Sequence, residues 1–343
     1  MISFRFSSRT PRLFGAMVSV VAVVGIVPSV SFAATVASIP SGYLKLDVAS
    51  AATTPFGVPL DDHSSPPAGI RAGRIESFTA NTISASGAGW TANLASSSAP
   101  WCVRLTSGPS EGKLLDITAN TPTTLTVSGA NVMSLGLTAG VDTFELVPMD
   151  TLWSFFGADT VQGGASAATA DNVQVRSGTT WLAYYFDTNL GYWRRTIGPA
   201  TNSNNVRIRS ESGVQIVRRG GGLTLTFAGR VPATPFRAPI NNAGSTVIHA
   251  GFPTDVTLGG LAMQALVPGW RSNAVAANAD SVSLYQGNAW VSYFHNGSFW
   301  QPVSGGAVDG GGLSISAGSL MTLQRPGATA GTTDLVRAIP YAL

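Results

Sequence analysis

The chain has one cysteine, three histidines and two lysines, and only 11% of its 343 residues are charged. Each scarcity excludes something. A lone Cys102 cannot form an internal disulfide, so the fold must rest on its core. Cys102 reads as a small buried hydrophobe, with a reactive thiol as the other reading. His63, His249 and His295 are not spaced as metal ligands with one another or with Cys102. The tight polar cluster Asp61-Asp62-His63 reads as a solvated loop before it reads as a cation site. The single G-x-S-x-G string, GPSEG at 108–112, reads as a turn between two short strands, there is no phosphate loop, and the GGG runs at 220–222 and 310–312 read as turns. No metal or other cofactor is expected, and nothing points to a paired carboxylate.

Excess positive charge is also missing once the leader is set aside. Arg5, Arg9 and Arg12 precede an apolar run from Leu13 to Val27, Pro28 breaks it, and Ser31-Phe32-Ala33 offers a cleavage site. Residues 1–33 therefore read as a secretory signal peptide with cleavage after Ala33, and the run is short for a membrane span. The full chain holds 20 basic and 17 acidic residues, and the three leader arginines account for the difference. A neutral mature chain is a poor nucleic-acid binder, because phosphate neutralisation needs excess cations. The expected location is extracellular or in the cell envelope. No integral membrane segment is expected after signal removal.

What is abundant is Gly, Ser, Thr, Val and Asn, a composition of short strands and many turns. The chain also repeats itself. ADNVQVRSGTTW (170–181) aligns without a gap over ADSVSLYQGNAW (279–290), at an offset of 109. LAYYFDTNLGYW (182–193) then matches VSYFHNGSFW (291–300), and NVRIRSESGVQIVRRG (205–220) matches GLSISAGSLMTLQRPG (312–327). DTLWSFFG (150–157) matches DVTLGGLA (255–262) more weakly. TPFGVPL (54–60) echoes TPFRAPI (234–240), each preceded by an alternating strand. In the first copy DTFELVPMDTL (142–152) is delayed, so residues 61–141 read as an insertion. LVRAIPYAL (335–343) resembles the start of a third unit and is placed to complete the sheet of the second.

The expected fold is all-β: two tandem homologous sandwich- or barrel-like units, the first interrupted by a small β-meander or barrel. The boundaries are 34–60 plus 142–222 for the first unit, 61–141 for the insert and 223–343 for the second. Alternation puts Trp290, Ser292 and Phe294 on one strand face and Val291, Tyr293 and His295 on the other. Asn296-Gly297 marks the turn, and the repeated aromatics read as packing, with ligand contact as the alternative. On the packing reading, Trp290 is a core residue. His295 has Phe186 opposite it in the other copy, which argues against a metal-binding or catalytic role.

The strand GYLKLDV with TPFGVPL, the stretch SGPSEGKLLDITANTPTTLTV, DTFELVP, the two blocks opened by ADNVQV and ADSVSL, and AIPY near the end together resemble an uncharacterised family of secreted proteins from verrucomicrobial bacteria. The resemblance spans nearly the whole mature chain. It implies export and carries no catalytic residue or ligand.

One asymmetry remains between the copies. Arg194, Arg195, Arg207, Arg209, Arg218 and Arg219 crowd into the first, beside Tyr192 and Trp193. They read as a solvated, edge-protecting strand face, or as a contact for an acidic glycan. The candidate ligand contacts are Tyr192, Trp193, Arg194, Arg195, Arg207, Arg209 and Trp300. The chain is expected to be a non-enzymatic structural or adhesive surface protein that self-associates or meets surface polysaccharide. A carbohydrate-binding module is the alternative and a secreted hydrolase the third reading.

Overall fold

The structure, a computed structural model, describes residues 40–62, 66, 68–91, 93–96, 98–327 and 329–342. The expected signal peptide and His63 lie outside the described residues. The protein is all-β, with 42% of residues in strands and 5% in helix. No helix among the described residues is long and apolar enough to cross a membrane.

The first sandwich opens with β1 (Ser41–Val48) and β2 (Thr53–Phe56). A barrel follows: β3 (Ala72–Arg74), β4 (Ser77–Phe78), β5 (Thr82–Ser84), β6 (Trp101–Leu105), β7 (Leu114–Asn120), β8 (Thr124–Ser128) and β9 (Thr143–Pro148). The first sandwich resumes with β10 (Asp150–Thr151), α1 (Leu152–Phe156), β11 (Asn172–Ser177), β12 (Thr180–Asp187) and β13 (Tyr192–Arg195). It ends with β14 (Arg207–Ile208), β15 (Val214–Val217) and β16 (Leu223–Arg230). The second sandwich begins with β17 (Phe236–Asn241), β18 (Gly244–His249), β19 (Val256–Thr257) and α2 (Met263–Leu266). It continues with β20 (Ser281–Gln286), β21 (Ala289–His295), β22 (Trp300–Pro302), β23 (Ser314–Ile315), β24 (Leu320–Arg325) and β25 (Thr332–Arg337).

Each sandwich is a five-stranded sheet capped by smaller ribbons. The sheet orders are β13-β12-β11-β15-β2 and β22-β21-β20-β24-β18. The ribbons are β1–β16 and β10–β14 in the first, β17–β25 and β19–β23 in the second. Apolar residues at alternate positions fill each interior. Val173, Val175, Trp193, Ile216 and Leu225 belong to the first core, and Ile240, Val282, Leu284, Trp300 and Leu323 to the second.

Two segments have other partners than the sequence suggested. Leu223–Arg230, assigned above to the second unit, pairs along its whole length with β1, and Leu225 packs into the first core. β9, assigned to the first unit, runs between β3 and β6, and Phe144 and Leu146 sit in the barrel core. An alternating pattern announces a strand without naming its partner. The TPF echo likewise lands in unlike places, because Phe56 ends a strand at the edge of the large sheet while Phe236 begins a ribbon strand.

The barrel closes on itself. The chain from Ala72 to Phe78 pairs with β9 through its first part and with β5 through its second. The Ile75 amide donates to the Asp142 carbonyl (2.8 Å) and the Glu76 amide to the Ser84 carbonyl (2.9 Å), which leaves no long free edge. Seven strand segments enclose Ile75, Ile83, Trp90, Leu105, Ile117 and Phe144.

Ion pairs fasten the three lobes together. Arg104 of β6 is buried and donates to both oxygens of Asp61 (2.5 and 2.6 Å) and to Glu145 (3.0 Å). Lys113 and Arg237 share Asp334, at 3.0 and 3.1 Å. The barrel turn after Ser110 presses so closely on the second sandwich that a Cβ on Gly112 would lie 2.2 Å from the Pro235 carbonyl oxygen. At φ +83° this position also needs glycine's conformational freedom.

Candidate functional site

The two sandwiches meet where β2 ends and β24 begins. Phe56 bridges to Ser319, and the Gly57 amide donates to the Gly318 carbonyl (2.8 Å). A Cβ on Gly213 of the first sandwich would lie 2.7 Å from Leu320 Cδ1 of the second. Farther out, beside the hairpin turns, the two five-stranded sheets part and leave an open cleft.

Two hairpins shape its mouth. In the first, Ser177 pairs with Thr180 around Gly178, so Arg176 stands opposite Trp181. In the second, Gln286 pairs with Ala289 around Gly287 and Asn288, which take φ of 54° and 67°, so Tyr285 stands opposite Trp290. Positive φ at both central residues suits the strand twist of a tight hairpin, and Gly and Asn tolerate it. Alternation then points Trp181 and Trp290 away from their own cores. Trp181 is half-buried and Trp290 is 38% exposed.

Both rings line one cavity of about 290 Å3, together with Arg176, Ser245, Ser283 and Thr322. An adjoining cavity of about 350 Å3 shares Arg176 and Ser245 and continues past Gly178, Glu211, Ser212 and Asn241. Each is near the lower end of the size range for small-ligand sites, about 300–1,000 Å3. The Arg176 guanidinium lies 5.5 Å from the Trp181 ring centroid and donates through Nε to the Gly178 carbonyl (3.0 Å). Burial lowers its pKa without removing its charge at neutral pH. Trp290 meets Tyr285 edge to face at 5.4 Å. The Ser283 and Ser292 hydroxyls are 2.7 Å apart on the same face, leaving oxygen lone pairs toward the cleft.

The residues expected from sequence to touch a ligand are mostly elsewhere. Trp193 is fully buried, its Nε1–H donates to the Gly157 carbonyl (2.8 Å), and its ring packs on Phe156 and Phe186. Trp300 is 2% exposed and packs on Trp270 and His295. Neither can reach a ligand, because alternation turns each into its own core. Arg207 and Arg209 of the first sandwich reach Asp116 of the barrel at 3.7 and 2.5 Å and act as lobe fasteners, although Arg209 also borders the second cavity. Arg194 pairs with Asp187 (3.3 Å) and lies over the Tyr185 ring. Tyr192 donates to the Ala200 carbonyl (3.0 Å), and Arg195 is exposed on the edge strand. Trp290, expected in the core, stands at the cleft instead. The Asn296-Gly297 turn runs over four residues, with Asn296 Oδ1 accepting from the Ser298 and Phe299 amides and only Gly297 at positive φ.

A second region gathers carboxylates. Asp61, Asp62, Asp150 and Glu211 line a narrow cavity of about 50 Å3 where the barrel meets the first sandwich, with Cys102 on its wall. Burial raises the Asp150 pKa to about 6, opposed by the hydrogen bond from Ser154 and helped by Asp62. Burial also pushes the Cys102 thiol up to about 12, so it is inert at neutral pH. A cavity of this size holds a water or two and no substrate.

Trp181 and Trp290 were read from sequence as packing, with ligand contact only the alternative, and Arg176 was not singled out. Their signal was present: each Trp is the second residue of the strand that follows a glycine turn, on the face opposite the buried valines and leucines. No protein-family model, no curated protein and no solved structure matches this chain.

Proposed function

We propose that this chain is an exported carbohydrate-binding protein of the cell surface or its surroundings, and that a saccharide lies in the cleft between its two five-stranded sheets. The observation that carries this is the pair Trp181 and Trp290, exposed in part and lining one open cavity edged with hydroxyls. A pyranose ring has a C–H face that lies well against an indole and an edge of hydroxyls that exchange hydrogen bonds with Ser and Thr. Core Trp residues such as Trp90, Trp193 and Trp300 are by contrast almost fully covered. The leader-like start and the resemblance to a secreted family support export.

The reading includes an internal duplication. The identical strand order of the two sheets supports it, as does a buried Asp with an Arg partner in each: Asp171 with Arg218, and Asp280 with Arg325. The lobes fastened by ion pairs favour a second reading, a rigid structural or adhesive element, which is tested by self-assembly in size-exclusion and electron microscopy. The cleft offers poor support for hydrolysis. Among the described residues the cleft wall has one carboxylate, Glu211, held by Arg209 at 3.2 Å, and glycoside hydrolysis uses a pair.

The test is a glycan array with the exported protein, Trp181→Ala and Trp290→Ala. Both variants should keep their melting temperatures within a few degrees and lose binding by about tenfold or more. An unmodified protein that binds no saccharide, or variants that bind as well as it does, would end this reading.

A further inference from the structure

We infer that the saccharide held in this cleft is acidic, a polyuronate whose carboxylate is read by Arg176. The inference rests on the cleft being a glycan site, and it adds the charge of the ligand. Many charged side chains in the lobes are matched: Arg104 with Asp61, Arg209 with Asp116 and Glu211, Arg218 with Asp171, Arg325 with Asp280. Arg176, like Arg337 which lies over the Phe252 ring, is partly buried without such a pair, and of these two only Arg176 lines the cleft. Among the described residues it has no carboxylate within ion-pair distance, yet it is partly buried at the point where the two cavities join. One of its five N–H donors goes to the Gly178 carbonyl. The guanidinium lies over the Trp181 ring, which limits its rotation.

The balance of charge around it is one-sided. Among the described residues, Arg176, Arg209 and Glu211 are the charged residues on the two cavity walls, and Arg209 is paired with both Glu211 and Asp116. A partly desolvated cation with no counter-charge is costly alone and favourable once a carboxylate meets it. The fork of a guanidinium matches a planar carboxylate through two parallel hydrogen bonds. Trp290, across the cleft, gives the sugar ring an apolar surface close to that carboxylate. The hydroxyls of Ser245, Ser283 and Thr322 complete a wall suited to sugar hydroxyls and carry no charge of their own.

The experiment compares one polymer in two charge states: polygalacturonate and its fully methyl-esterified form, with a neutral glucan as a third probe. Affinity is measured by calorimetry for the exported full chain and for Arg176→Gln, Arg176→Lys and Trp290→Ala. The acid form should bind about tenfold or more tighter than the ester. Arg176→Gln should erase that preference, weakening acid binding far more than ester binding, and Arg176→Lys should restore part of it. Trp290→Ala should weaken all saccharide binding. Equal binding of acid and ester, or an acid preference that survives Arg176→Gln, would overturn the inference while leaving the glycan cleft intact. Binding of no polymer at all, or Trp290→Ala binding unchanged, would remove both. Tighter binding of inorganic polyphosphate than of polygalacturonate would replace the uronate with a phosphate ligand.

Discussion

Arg176 faces Trp181 across the first hairpin, and Tyr285 faces Trp290 across the second. The four residues hold matching positions in two sheets of the same strand order, yet one pair is a cation on a ring and the other is ring on ring. Deeper in each sandwich the agreement is closer. Trp193 pairs in register with Phe186, as Trp300 does with His295. Asp171 accepts from the Gln162 and Arg219 amides and from Arg218, and Asp280 accepts from the Arg271 amide and from Arg271 and Arg325 side chains. What is alike in the two halves lies inside, and what differs faces the cleft. Differences gathered at one opening fit a site that needs two unlike walls.

The largest expected effects test that division. Replacing Asp280 by Ala leaves Arg325 buried and without its carboxylate and should cost about 3–5 kcal/mol, and Asp171→Ala, which strands the less buried Arg218, should cost somewhat less. Trp193→Ala empties a fully buried ring site and should also cost about 3–5 kcal/mol, whereas Trp290→Ala should cost about 1 kcal/mol or less. Urea denaturation of these variants reads both comparisons. Similar losses for Trp193→Ala and Trp290→Ala would erase the distinction between core and cleft.

An effect of about 3 kcal/mol is expected from His249. Complete burial lowers its pKa to about 4, its hydrogen bond to the Ser210 backbone opposes this, and the Arg337 charge adds to it. Its Nδ1 accepts from the Gly251 amide (2.9 Å). The folded pKa is depressed below 6.5 for a base, so the unfolded chain takes up the proton first. Stability is therefore full above pH about 6.5 and falls as pH drops toward 4. Asp150 works with the opposite sign, since its raised pKa favours the protonated folded form between about 3.8 and 6. Asp150→Asn should thus stabilise the protein above pH 6 and make no difference below about 4, while His249→Gln should remove the loss on acidification. Thermal melts across pH 3.5–8 separate the two.

The smallest comparison concerns two indoles. Trp193 Nε1 has a carbonyl partner, and Trp300 Nε1 is buried without one among the described residues. Trp193→Phe should lose about 1 kcal/mol more than Trp300→Phe, because only the first gives up a hydrogen bond.

Strand alternation was enough to place the all-β class, the hairpins and the opposing faces of the strand Trp290–His295. It could not say which face would be covered, because that depends on a second sheet brought over it by distant chain. Trp290 was therefore expected in the core that His295 and Tyr293 in fact approach. The arginine cluster misled for a related reason. Arg207 and Arg209 look unmatched in sequence because their partner, Asp116, lies on a barrel strand far away in the chain. The buried Asp171 and Asp280 stood in plain view in ADNVQV and ADSVSL, but Arg218 and Arg325 come only with the fifth strand of each block, and Arg271 lies ahead of the second block. DTFELVP gave a strand, and pairing with β3 and β6 made it part of the barrel.

The closed barrel has a consequence for how the chain reaches this state. β3 and β9, its first and last strands, are neighbours with Ala72 opposite Glu145, so the barrel departs from the first sandwich and returns at nearly one point. For the sandwich, a long stretch of chain therefore counts as a short connection between β2 and β10, and the entropy of closing it is small once the barrel has formed. All the barrel's partners have emerged once Pro148 is made, whereas β1 waits for β16, with Ser41 finally opposite Arg230. During synthesis from the N-terminus, the interrupting segment is thus the first part able to fold. The segment it interrupts closes later, around a piece that is already finished.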